Sequence, residues 1–292
     1  MLQKILLICC LVLACSCGKS PPISAQKPLI LVSIAPYRFL TEQIAGDGFE
    51  VQTVVPVAAN PHSFEPTSRQ VSEMGRGVVW FRIGEPFEGK ILPILMRHNG
   101  ELAVRDLREG IELIEEEHAL GCTHCCMDHL DRHVWLSPKL AAKQAEMIAK
   151  GLSERFPEQR PMFESNLAVL REKLGTLDRE IEEILKPVEN RLILVSHPAF
   201  GYFCKEYDFE QLSVEYEGKD PRPKHLAEIL DRAVTGSMEV ALALPQYNNK
   251  GAQLIAEKMH VPVHLIDPYS AEYFETMRKL AHLIADPYAD RN

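Results

Sequence analysis

The sequence predicts an α/β protein of two lobes, each with a mostly parallel sheet flanked by helices, joined by one long spine helix. Three observations predict it. Short apolar runs of strand length alternate with helical periodicities in the first half. The same alternation resumes near residue 190, and between the two lies an unbroken apolar stripe at helical spacing. With 292 residues, 46% of them hydrophobic and 25% charged, the chain has enough apolar sequence for two cores.

The N-terminal "MLQKILLICCLVLACSCGKS" carries one lysine and then an apolar run too short to span a bilayer, the pattern of a signal peptide over residues 1–17. Val12-Leu13-Ala14-Cys15 resembles a bacterial lipobox, which makes Cys15 the expected lipidation site, with Cys17 as the alternative and an unlipidated secretory signal as a third reading. The mature chain is therefore expected outside the cytoplasm, periplasmic or membrane-anchored through lipid.

Within an N-terminal lobe over residues 27–157, "PLILVSIA" reads as a strand and "PYRFLTEQIAGDG" as a helix ending at glycine. "FEVQTVVPV", "GVVWFRIGE" and "ELAVRDL" read as further strands, with helical "SRQVSEMG" and "FEGKILPILMRH" between them. Thr67 and Gln70 stand at the spacing of a capping box. Over 158–187, Phe163, Leu167, Leu170, Leu174, Leu177, Ile181 and Ile184 recur in steps of four and three until Pro187. That predicts a helix of ~40 Å. A coiled-coil partner helix is the competing reading of the stripe. In the C-terminal lobe, 188–292, "RLILVS", "EVALALP" and "VPVHLID" are strands and "PRPKHLAEILDRAV" and "NKGAQLIAEKMH" helices, the first with Leu226, Ile229, Leu230 and Ala233 inward.

Composition excludes some functions. The formal charge is −9, and it becomes more negative when Lys4 leaves with the leader, which makes the chain a poor nucleic-acid ligand. Half of the eight cysteines lie in the leader; the rest, Cys122, Cys125, Cys126 and Cys204, are too few and too clustered for a disulfide scaffold.

The histidines carry the chemistry. His62, in "AANPHSFEPTS", follows a strand and is flanked by prolines; His197 follows "LILVS" directly, and Asp267 ends "VPVHLI". Ligands of open parallel sheets bind beyond the carboxyl ends of the strands, so these residues can converge. His133, in "DRHVWLSP", is the fourth candidate. Three imidazoles and a carboxylate suit tetrahedral Zn2+; a lone His is otherwise a buried hydrogen-bonded imidazole. His225, His260 and His264 read as structural or surface residues on helix or strand faces, and Trp135 with the aromatics of "FGYF" reads as core packing beside the ligands.

Five segments together resemble the solute-binding proteins of bacterial zinc and manganese ABC importers. "NPHSFEPTSRQVSEM" is similar to the family's PHxYEPTP segment, "DRHVWLSPKLAAKQAEMIAKGLSE" to DPHVWLDP and "VSHPAFGYFCKEY" to SHxAFGYF. "EGKDPRPKHLAEI" and "VHLIDPYSAEYFETM" match its two C-terminal motifs. The resemblance implies two lobes bridged by a rigid helix and metal ligands at His62, His133, His197 and Asp267. It implies Glu65 and Asp131 as supporting groups, and a membrane permease with its ATPase as partners of a monomeric protein. Arg132, Ser137 and Arg222 depart from the family pattern. A third imidazole in place of a carboxylate favours Zn2+, with Mn2+ the alternative cargo. Where zinc-specific members have a His- and acid-rich loop, "EEEHALGCTHCCMDHLDRH" offers His118, Cys122, His124, Cys125, Cys126 and His129 as an auxiliary metal site, or else a loop with a local disulfide. The rival classes are a secreted zinc-dependent hydrolase, which would need an open coordination position and for which no H-E-x-x-H is present, and a surface adhesin with a structural metal.

Overall fold

The structure, a computed structural model, describes residues 26–115, 130–215 and 221–289. The leader with Cys15 and Cys17 and the Cys/His-rich segment 118–129 fall outside the described residues.

The first half runs β1 (Leu29–Val32), α1 (Ala35–Ala45), β2 (Glu50–Thr53), α2 (Ser68–Met74), β3 (Gly77–Arg82), α3 (Pro86–His98) and β4 (Ala103–Asp106). After α4 (Pro138–Arg155) comes α5 (Arg160–Leu185), the spine. The second half is β5 (Leu192–Val195), α6 (Gly201–Tyr207), β6 (Glu210–Ser213), α7 (Pro223–Thr235), β7 (Ala241–Ala243), α8 (Lys250–Met259), β8 (Val263–Leu265) and α9 (Tyr273–Ala285).

Both sheets are parallel and share one topology, β2-β1-β3-β4 and β6-β5-β7-β8. In each the strand order reverses beside the first strand, which opens a crevice at the carboxyl ends between its two neighbours. Strand β2 is shorter than its apolar run, but Val54 and Val55 still donate to Val32 and Ser33 of the β1 edge, so the chain stays in register to the start of the His62 loop. The expected capping box is present: Thr67 accepts from Gln70 N, and the Gln70 side chain accepts from Thr67 N.

Four elements had no counterpart in the element-by-element reading: α4, α6, β6 and α9. Helix α4 buries a face of small residues, Ala141, Ala145 and Ala149 with Ile148 and Leu152, a weaker periodic signal than leucines give. Ser137, where the family has Asp, caps α4 by accepting from Leu140 N. The heptad stripe of α5 buries Phe163, Leu170, Leu174, Leu177, Ile181 and Leu185 within the chain, in contact with α1, α4 and α9, rather than against a coiled-coil partner.

Candidate metal centre

His62, His133 and His197 come together although 135 residues separate the first from the last. Their ring centroids form a nearly equilateral triangle, 5.3 Å from His62 to His133, 5.1 Å from His62 to His197 and 5.2 Å from His133 to His197. His62 hangs from the loop after β2, with its backbone N–H donated to Asn60 Oδ1 at 2.9 Å. His133 lies in the short turn before α4, and His197 directly after β5, so both sheets aim a ligand at one point. His133 is fully buried and His197 nearly so, while the His62 side chain is 23% exposed and forms the open edge of the group.

Each ring is held from behind by a carboxylate. His62 Nδ1 faces Glu85 Oε2 at 2.9 Å, His133 Nδ1 faces Asp131 Oδ1 at 2.8 Å and His197 Nδ1 faces Glu215 Oε2 at 2.8 Å. A carboxylate only accepts, so Nδ1 donates in each case and Nε2 is left with its lone pair toward the centre. Asp131 also accepts from His133 N at 2.8 Å, and its carbonyl accepts from Tyr202 Oη at 2.9 Å, which fixes the segment beneath the ring.

Electrostatics favour a divalent cation. Burial pushes Glu85 up, but His62 beside it, by charge and hydrogen bond, and then Arg132 outweigh that and hold it below the usual carboxylate range. Arg132, where the family has Pro, donates to Gly84 O at 2.8 Å and so stands next to Glu85. Burial, then the charges of His133 and His62, push His197 well below the ordinary histidine value, which keeps that imidazole neutral and able to ligate at neutral pH. The three carboxylates against one guanidinium leave an excess of negative charge around the rings.

Asp267 does not join the triangle. Its Oδ1 accepts from Gln246 Nε2 at 2.8 Å and from Tyr269 N at 2.9 Å, an arrangement that caps the turn after β8. The atom facing the ring nitrogens is instead Tyr269 Oη, 2.9 Å from His133 Nε2, 3.5 Å from His62 Nε2 and 2.9 Å from Tyr247 Oη. Glu65 is likewise no supporting group: it is exposed and paired with Lys90 at 2.5 Å. Glu85 and Glu215, which sequence reasoning missed, take the places beside the rings. Each follows a strand end, β3 and β6, and that position is the only signal a sequence offers for them. Trp135 and Phe200 are buried beside the ligands as expected.

This arrangement belongs to a described family. Residues 30–286 match the family model of the periplasmic zinc-uptake complex component A. A protein named for metal binding in Chlamydia trachomatis serovar D is 30% identical over 97% of this chain and 100% of its own length. The manganese ABC transporter substrate-binding lipoprotein PsaA of Streptococcus pneumoniae is 27% identical over 86% of this chain and 83% of its own. A crystal structure of ZnuA superposes with a TM-score of 0.82 at 31% identity, covering 89% of this chain and 99% of that one. The chain belongs to the periplasmic zinc-uptake component A family, the solute-binding proteins of metal ABC transporters.

Proposed function

We propose that the protein captures Zn2+ between its two lobes outside the cytoplasm and hands it to the membrane permease of an ABC importer driven by an ATPase. His62, His133 and His197 are the metal ligands in this reading. One observation carries it: His62 Nε2 and His197 Nε2 stand 3.3 Å apart, and with both Nδ1 protons committed to carboxylates both atoms present lone pairs. Facing lone pairs are satisfied by a cation between them. Three imidazoles fit Zn2+ better than Mn2+, which takes harder oxygen donors.

Carriage rather than catalysis is supported by how the acids are used. A hydrolytic zinc site keeps a carboxylate base at its open position, whereas Glu85, Asp131 and Glu215 each stand behind a ring. We further propose that residues 27–157 and 188–292 act as the two lobes on either side of the spine, that the chain is a monomer, and that it is tethered through Cys15. Purified mature protein is expected to bind one Zn2+ tightly, and His133→Ala or His197→Ala to weaken binding by more than about tenfold. Unchanged affinity in both variants, measured by chelator competition, would remove this site.

A further inference from the structure

Of the three histidines His62 is the exposed one, so packing alone does not fix its ring, and its orientation rests on Glu85, which meets Nδ1 at 2.9 Å. Glu85 stands immediately before Pro86 at the start of α3, where a side chain ordinarily accepts from the first free N–H groups of the helix. It makes no such bond, and its carboxylate is turned to His62 instead. The turn that allows this is held by Glu88, three residues on.

Glu88 is completely buried and grips the turn from inside. Its Oε1 accepts from Ile83 N at 3.0 Å and its Oε2 from Gly84 N at 2.7 Å. The side chain thus reaches back past the helix start as the acid of a capping box does, but to the two residues before Glu85. Arg132 Nε holds the other side of the same glycine, donating to Gly84 O at 2.8 Å. Gly84 itself has φ +84°, and a Cβ there would lie 2.0 Å from Arg108 Cζ, so the backbone that enters Glu85 requires glycine. Ser33, the residue after β1, locks the carboxyl to the sheet: its Oγ donates to Glu88 Oε1 at 2.5 Å and accepts from Trp80 Nε1 at 3.2 Å. Ser33 Oγ, Ile83 N and Gly84 N are all donors, and a carboxylate is the group that can accept from all three. Burial pushes that carboxyl up to about 7, so it costs stability as pH rises toward neutrality. A residue kept at such a cost fits a role in the site rather than in the fold.

Resting on the three-histidine reading, we infer that Glu88 is a positioning residue of the metal centre: by holding Ile83 and Gly84 it aims Glu85 at His62 and so keeps Nε2 of that ring bare for the metal.

Glu88→Gln in the mature chain tests this. An amide offers one oxygen where the carboxylate offers two, so its NH2 group faces either Gly84 N–H or the donors of Ser33 and Ile83, and the grip loosens with size unchanged. Zinc affinity by chelator competition is expected to fall by ~5–10-fold, at or below the low end of the ~10–100-fold that removing a direct partner of a ligand costs. In metal-free samples the imidazole nitrogen NMR shifts of His62 should move toward the tautomer protonated at Nε2 while those of His133 and His197 stay, which a general loss of packing would not produce. In a Glu85→Ala background the same Glu88→Gln change should cost less than about twofold, because the group it acts through is gone. If Glu88→Gln does not fold, Ser33→Ala, which frees the carboxyl from β1 and leaves its charge, is read instead, with the same direction of change expected at His62. Wild-type affinity, unmoved His62 shifts, or an equal loss with and without Glu85 overturns the inference. A parallel His197→Ala sample separates the failures: if it loses zinc, the three-histidine site stands whatever Glu88 does; if it retains zinc, the site itself fails.

Discussion

At the scale of single residues, each imidazole of the candidate centre is oriented by a group whose only capacity is to accept. Replacing Glu215 by Gln keeps an oxygen near His197 Nδ1 but removes the charge that raises the ring's basicity toward metal. Zinc affinity is expected to fall by ~10–100-fold while the metal-free fold is retained, and a zinc titration of Glu215→Gln checks it. His197 also links the metal-free protein to pH. Its folded-state value is lowered, chiefly by burial, so the unfolded chain binds more protons below about pH 6.5, and stability from this residue is present above that value and lost as pH falls. The stability of wild type relative to His197→Gln should therefore shrink between pH 7.5 and 5.5, read from urea midpoints of metal-free samples; a constant difference would contradict a neutral buried ring. Glu88 runs the other way: burial pushes its carboxyl up to about 7, partly offset by hydrogen bonds from Ser33 Oγ, Ile83 N and Gly84 N, so it costs stability as pH rises. The comparison at His197 cancels that contribution. His62 and His197 were legible in the sequence because prolines and strand ends bracket them, and His133 because of the segment that carries it. Glu85 and Glu215 were not, since an acid at a strand end looks the same whether it meets a ring or water, and Glu65, only three residues from His62, proved to be the surface acid.

At the scale of elements, short parallel strands supply positions and helices supply rigidity. Helix α4 crosses β3 so closely that a Cβ added at Gly151 would lie 2.9 Å from Cε1 of Phe81, a ring buried completely. Two effects oppose each other in Gly151→Ala. Helix propensity gains about 1 kcal/mol, while overpacking a full core costs about 1–3 kcal/mol. Phe81 has no space in which to yield, so a net loss of up to ~2 kcal/mol is expected in a urea titration, and a gain would show that the ring can shift. Such a close approach explains why α4 escaped the sequence reading: a face of Ala and Gly makes tight packing possible while muting the apolar periodicity by which helices are recognised. Helix α5 was legible for the opposite reason, since large residues line one face. Truncating its centre with Leu177→Ala should cost ~2–5 kcal/mol, because the side chain is fully buried on a helix that packs against elements of both halves.

At the scale of the whole molecule, the two sheets share one strand order, yet the core does not divide between them. One continuous buried cluster runs from β1 and β3 through Leu170, Leu174 and Leu177 of the spine to Ile193, Phe200, Leu242 and Met277. A smaller cluster, built from Leu194, Leu212, Ile229, Ala233, Ala252 and Ile255, lies on the other face of the second sheet beneath α7 and α8. A spine packed into the larger cluster cannot hinge freely, so metal entry and release are expected to proceed by small shifts of the loop that carries His62, the exposed edge of the group, rather than by wide opening of the halves. Hydrogen exchange tests this directly. In the metal-free protein, α7 and α8 should exchange through lower-energy openings than α4 and α5, because fewer buried contacts hold them. Zinc at one hundred times its dissociation constant adds ~2.7 kcal/mol to global stability, and amides that exchange only by global unfolding, in α5 above all, should slow by the corresponding ~100-fold. Amides of α7 that open locally without disturbing the site should not respond, since that opening leaves the metal bound. If zinc slowed α7 as much as α5, the second half would be opening as one unit with its metal ligand, and the release step would have to be redrawn as a movement of a whole lobe.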